Sequence, residues 1–199
     1  VDDVFQALTP SLQELLQGIL ATERRPARGL APGRFEAANQ HELCRDLALR
    51  MGLDLDGVRI DAGPMAFCEA IGPGDIRLAG KFNTADFREG FFGLLHEAGH
   101  ALYHRGLNED DYGLPLGKCS SYAVRESQAR FWENAVGHSP AFWEFWFPRF
   151  QSAFPDSLGS VTADDFFFWI NQVTPSFVRV DADEVSYNLH IVLRFELER

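Results

Sequence analysis

No apolar run in the sequence is long enough to cross a membrane, and nothing at its start reads as a signal peptide. Cations are scarce: Lys+Arg number 18 against 29 Asp+Glu, a formal net charge of −11. Recognition of a phosphate backbone depends on clustered Lys and Arg, so this balance argues against a nucleic-acid partner. Cysteine is also sparse. Cys44, Cys68 and Cys119 are odd in number, widely spaced and without a C-x-x-C pair, which points to reduced thiols in a cytoplasmic protein rather than a disulfide framework. There is no internal repeat, low-complexity tract or obvious linker. The chain opens on Val1 rather than Met, as a piece of a longer or processed protein would.

What is present is the composition of a folded protein, 46% hydrophobic and 24% charged, in 199 residues that suffice for one domain with a sizeable core. Phe occurs 18 times and Trp 4 times, mostly after residue 82, so the second half should hold the heavier aromatic core. Helical periodicity dominates. Thr9-Pro10 reads as an N-cap followed by Pro at the first helical position, with Leu12, Leu15, Leu16 and Ile19 as the apolar stripe. Arg25 to Gly33 reads as a loop, and Phe35–Met51 as a helix stopped by Gly52. Between Val58 and Phe82, glycines and prolines punctuate short apolar runs, the texture of two or three short strands. Helices are expected again over Thr84–Arg105, Tyr122–Val136, Pro140–Ala153, Ala163–Gln172 and Ala182–Glu198. The fold class is therefore mainly α with a small β-hairpin or short-strand element at residues 58–82, in a single domain spanning 1–199.

His96-Glu97-Ala98-Gly99-His100 carries the chemistry. Histidines four apart on a helix stand one turn above each other and can share one cation, and Glu97 can address a water beside it. A hydrolytic site needs three protein ligands and an open position. His104 rotates off the His96–His100 axis, and Tyr103 stands where the extended H-E-x-x-H-x-x-G-x-x-H pattern needs Gly, so a third ligand has to come from another helix. Glu126 is the candidate. Spacing alone leaves it equally readable as an i,i+4 surface partner of Arg130.

Several further motifs fall in one order. Asp75-Ile76-Arg77, Glu126-Ser127-Gln128 and Val178-Arg179-Val180-Asp181-Ala182-Asp183 follow the D-x-R-x-T, H-E-S-Q and I-R-x-x-A-D motifs of the M32 metallocarboxypeptidases, the thermostable Taq type, around their H-E-x-x-H. The chain resembles the central core of that family. Family regions at both ends are not present. The family's H-P-F corresponds to Met65-Ala66-Phe67, the Thr of D-x-R-x-T to Ala79 and the His of H-E-S-Q to Arg125, while its G-x-x-Q-D-x-H-W motif falls beyond Arg199.

The resemblance implies a zincin-like helical core binding one divalent ion, zinc or alternatively cobalt, through His96, His100 and Glu126. Glu97 is then the general base of peptide hydrolysis. An exopeptidase also needs a cation for the terminal carboxylate. Arg179 is the candidate, with pairing to Asp181 or Asp183 as its structural alternative, while Arg77 is adequately explained by Asp75. Asp183 or Glu184, with Asp183 favoured, is expected to support a ligand histidine. Peptides are the expected partners, with no nucleic acid and no membrane, in a cytoplasmic homodimer. The run Phe142-Trp143-Glu144-Phe145-Trp146-Phe147 reads as core packing. Two other readings stay open: an impaired pseudopeptidase binding zinc and a peptide or partner protein, and an oligopeptidase with the same His-His-Glu site. In the first of these, Arg125 could bind an anion or compete with the metal for Glu126.

Overall fold

A computed structural model describes residues 1–22, 33–179 and 182–199, so the expected loop from Arg25 falls, save Gly33, outside the described residues. In chain order the elements are α1 (Asp2–Ala21), α2 (Ala37–Arg50), β1 (Val58–Ala62), β2 (Phe67–Gly72), β3 (Asp75–Gly80), α3 (Arg88–Arg105), α4 (Tyr122–Arg130), α5 (Pro140–Ala153), α6 (Pro155–Leu158), α7 (Ala163–Ile170) and α8 (Glu184–Glu198). The mainly helical class with one small sheet is as expected. No described helix is long and apolar enough to cross a membrane. The chain divides into two compact units, Val1–Gly29 with Asp164–Arg199, and Leu30–Ala163.

In the first unit α1 packs along α8, with Phe5 edge-on to Phe195 at 5.1 Å and Arg199 paired with Asp2. The sequence places the start of α1 at Thr9-Pro10, but the helix begins two turns earlier and runs through Pro10. Asp2 and Asp3 favour the earlier start by complementing the helix dipole. Thr9 is no N-cap: its hydroxyl donates to the Phe5 carbonyl at 2.7 Å. Asp183 caps α8, its Oδ1 accepting from Val185 N and Ser186 N at 3.0 and 2.9 Å.

The second unit is built around α3. Its sheet has the order β1-β3-β2, with β3 parallel to β1 and antiparallel to β2. The β2–β3 turn is Pro73-Gly74, where Gly74 takes φ +70, a conformation most side chains avoid. Central β3 buries Ile76, Leu78 and Ala79, and β2 lies at an edge. Helix α3 starts at Arg88, four residues later than the sequence suggests. Asn83 Oδ1 and Asp86 Oδ1 accept from the backbone N–H of Ala85 and Arg88, local bonds that favour turns over helix.

Aromatic side chains fix α3 against its neighbours. Phe91 meets Phe150 of α5 at 4.8 Å, and Phe87 meets Phe35 and Phe150 at 5.2 and 4.7 Å, all four rings being buried. Such ring pairs add about 0.5–1.5 kcal/mol each beyond their area burial. Trp143, Trp146 and Phe147 of the aromatic run are core. Phe145 is exposed, with the Arg149 guanidinium 3.7 Å from its centroid.

On another face α3 touches the backbone of α4. A Cβ added at Gly99 would lie 2.7 Å from Ala129 Cα and 3.1 Å from the Gln128 carbonyl oxygen. Backbone atoms cannot rotate aside, so Gly99→Ala should cost about 1–3 kcal/mol of overpacking even though alanine suits a helix better. Denaturant unfolding checks this against Gly106→Ala, where φ is −79 and the nearest atoms lie 3.5 Å away, and where no loss of stability is expected.

Candidate metal centre

His96 and His100 stand one turn apart on α3 with ring centroids 4.7 Å apart. The Gly99–Ala129 approach carries Glu126, three residues before Ala129, over that stripe. Its Oε1 lies 3.4 Å from His96 Nε2 and its Oε2 lies 3.5 Å from His100 Nε2. One donor atom from each of the three residues falls within 4.8 Å of the others. Tetrahedral ligands about 2.1 Å from one ion stand roughly 3.4 Å from each other; the two short contacts run to different oxygens of Glu126, and the whole group is close enough to converge on one divalent cation. Two imidazoles and a carboxylate are also a donor set that zinc accepts.

The second nitrogen of His96 is held as well. Glu133 Oε2 accepts from His96 Nδ1 at 2.8 Å, which leaves Nε2 as the lone pair facing Glu126. Glu133 sits on a wider π-helical turn, Phe131–Val136, that continues α4. It follows Glu126 by seven residues, two turns of helix, so both carboxylates share the face toward α3. Arg130 lies between them, its Nη1 donating to Glu133 Oε2 at 3.1 Å and its Nε 3.5 Å from Glu126 Oε1. The surface-pair and ligand readings of Glu126 therefore coexist.

Burial sets the protonation of the centre. His100 is 3% exposed, and desolvation, followed by the charges of Arg125, His96 and His104, pushes its pKa down to about 4. The imidazole is thus neutral at neutral pH, the form that binds a metal. Glu97 is pushed the other way, above the usual carboxylate range, by burial first, with Glu126 and Glu133 adding and His96 and Arg125 opposing. A half-buried carboxyl with a raised pKa is suited to taking and returning a proton.

Arg125 extends away from Glu126, so the expected competition for that carboxylate comes from Arg130 instead. Arg125 Nε donates to His104 Nε2 at 3.2 Å, and Nη2 reaches the Cys68 carbonyl at 3.5 Å. His104 accordingly stands outside the three-residue group as an acceptor, with its pKa lowered by burial and by Arg125. The Cys68 thiol is pushed up to about 12, by burial and then by Glu97, and is inert at neutral pH.

The other predicted residues have local partners. Arg77 binds Asp75 through Nε and Nη2 at 2.7 and 2.9 Å. In the other unit, Arg179 Nη1 donates to the Tyr187 hydroxyl at 2.8 Å. Of its two expected carboxylates, Asp181 lies outside the described residues. Asp183, expected beside a ligand histidine, spends its carboxylate on the α8 cap, on Thr174 N at 3.0 Å and on the Ser186 hydroxyl at 2.8 Å. The carboxylate that meets His96 is Glu133, which the sequence reading passed over. Its seven-residue spacing from Glu126 was the available signal.

The description of the carboxypeptidase Taq (M32) metallopeptidase family matches residues 1–199. The chain is 44% identical over 195 residues to thermostable carboxypeptidase 1 of Thermus thermophilus, covering 98% of this chain and 38% of that protein. It is 34% identical over 199 residues to carboxypeptidase 1 of Bacillus subtilis, covering all of this chain and 40% of that protein. The M32 carboxypeptidase structure from Deinococcus radiodurans R1 superposes with a TM-score of 0.94 at 36% identity, over 100% of this chain and 40% of the other. The chain thus spans about 40% of the length of these relatives. With its family's helical core and a His-His-Glu group able to hold a metal, this chain belongs to the carboxypeptidase Taq (M32) metallopeptidases.

Proposed function

We propose that the chain carries the catalytic centre of a zinc metallocarboxypeptidase that hydrolyses the C-terminal peptide bond of peptides. The observation that carries this reading is the convergence of His96, His100 and Glu126, with a half-buried, proton-seeking Glu97 on the helix of the two histidines. Zinc held by those three residues would supply Lewis acidity to a peptide carbonyl and make a water easier to deprotonate. Glu97 removes the proton as the water oxygen bonds to the carbonyl carbon. When the C–N bond breaks, Glu97 returns the proton to the leaving amine. Glu133 keeps His96 in the tautomer whose Nε2 is free, and Arg130 holds Glu133 and Glu126 on one side of the site.

Purified full-length protein should contain about one zinc per chain and release free amino acid from a blocked dipeptide. Glu97→Gln should keep the metal while losing hydrolysis by at least about a hundredfold, the scale of general-base catalysis. Metal retained with unchanged turnover would remove Glu97 from the chemistry. Glu133→Ala should weaken zinc affinity by about 10–100-fold, measured by chelator competition, because His96 loses the acceptor that orients it.

The metal-free chain should show an acid limb of its own. His100 has a folded-state pKa of about 4 against the ordinary 6.5, so between these values the unfolded chain binds the extra proton. Stability from this source is intact above pH 6.5 and is lost as pH falls toward 4. Glu97, with its pKa raised, acts in the opposite sense: its contribution is present at low pH and is lost as pH rises through its folded pKa. Denaturation midpoints of the metal-free protein at pH 7.5 and 5 should therefore fall less in His100→Gln, and more in Glu97→Gln, than in the parent.

A further inference from the structure

Arg125 is a half-buried cation beside the metal centre whose bonding partners are neutral, the His104 imidazole and the Cys68 carbonyl. Among the described residues no carboxylate lies within 4 Å of it. Arg50, Arg77 and Arg130, by contrast, each hold one, on Asp46, Asp75 and Glu133 respectively. An uncompensated guanidinium in a partly desolvated position is costly unless an anion joins it. Of its five N–H groups two are engaged, which leaves both hydrogens of Nη1 and one of Nη2. Those two nitrogens form the edge that grips a carboxylate with two parallel bonds.

Its position suits one particular anion. When the last peptide bond of a substrate is cut, the terminal carboxylate belongs to the leaving residue, about 4 Å or less from the scissile carbonyl. The cation that receives it must therefore stand beside the general base. Arg125 precedes the ligand Glu126 in the chain, spans from α4 to His104 on α3 and the edge strand β2, and acts electrostatically on Glu97. Arg179, by contrast, already has its Nη1 engaged by the Tyr187 hydroxyl.

We propose that Arg125 receives the C-terminal carboxylate of the peptide substrate through its Nη1–Nη2 edge, and so selects free C-termini. This rests on the carboxypeptidase reading above. The test uses the full-length, zinc-loaded protein in a Glu97→Gln background, so that binding is read without turnover. Calorimetry compares an N-acetylated dipeptide bearing a free carboxylate with its C-terminal amide, and zinc content is measured in parallel.

The acid should bind about tenfold or more tighter than the amide, as a charge-assisted bidentate pair requires. Arg125→Gln should abolish that preference with zinc content unchanged, and Arg125→Lys should restore part of it. A preference that survives in Arg125→Gln overturns the proposal and moves the carboxylate to another cation, Arg179 first, while the carboxypeptidase reading stands. Equal binding of acid and amide in the Glu97→Gln parent overturns both the subsite and the exopeptidase specificity. Loss of zinc from the parent itself overturns the metal centre and the proposal with it.

Discussion

The metal centre depends on the closeness of two helix backbones. Gly99 and Ala129 bring α3 and α4 into direct contact, and every ligand position is measured from that point. His96 and His100 flank Gly99 on one helix, while Glu126 and Glu133 flank Ala129 on the other. A side chain at residue 99 would push α4 outward by more than the few tenths of an ångström that a ligand sphere tolerates. Gly99 lowers the helix propensity of α3 by about 1 kcal/mol relative to alanine, a cost offset by the contact it permits. The aromatic packing of Phe87 and Phe91 against α5 supplies the rigid support, since it anchors α3 through side chains turned away from the metal stripe.

Two arginines next to the same centre do different work because their side chains leave α4 in different directions. Arg130 joins Glu126 and Glu133, so that the glutamates, Arg130 and His96 form a closed ring of contacts. Such a ring removes freedom from Glu126, which is half-exposed and would otherwise sample rotamers that miss the histidines. Arg125 turns toward β2 and binds neutral acceptors, so its charge stays available. Holding the His-His-Glu group together and keeping a cation beside it thus fall to two arginines five positions apart.

Much of this was legible in the sequence, for reasons that residue spacing can carry. The two histidines four apart, Gly106 after α3, Gly52 after α2 and the glycine-punctuated strands are all local signals, and each lies where the pattern puts it. Glu126 needed the family motifs, because its distance from His100 along the chain says nothing of how α4 folds back. The parallel pairing of β1 with β3 was out of reach for the same reason, being a choice among registers that only tertiary packing makes. Pro10 misled because a proline marks a helix start only when nothing earlier favours the helix, and Asp2, Asp3 and Phe5 do. Asp183 shows that a carboxylate in an apolar stretch can be satisfied by backbone N–H groups as well as by a metal-bound histidine.

The charges of the centre favour a divalent cation, as its geometry does. Apart from its imidazoles, the centre sets Glu97, Glu126 and Glu133 against Arg125 and Arg130, a net single negative charge when all three carboxylates are ionised. A divalent cation held by His96, His100 and Glu126 would bring the same groups to a net single positive charge. On the proposed carboxypeptidase reading, a terminal carboxylate would restore neutrality, whereas its amide would leave the excess charge in place. A surplus guanidinium acting on Glu97 thus supports the proposed recognition of chain ends over cutting within a chain.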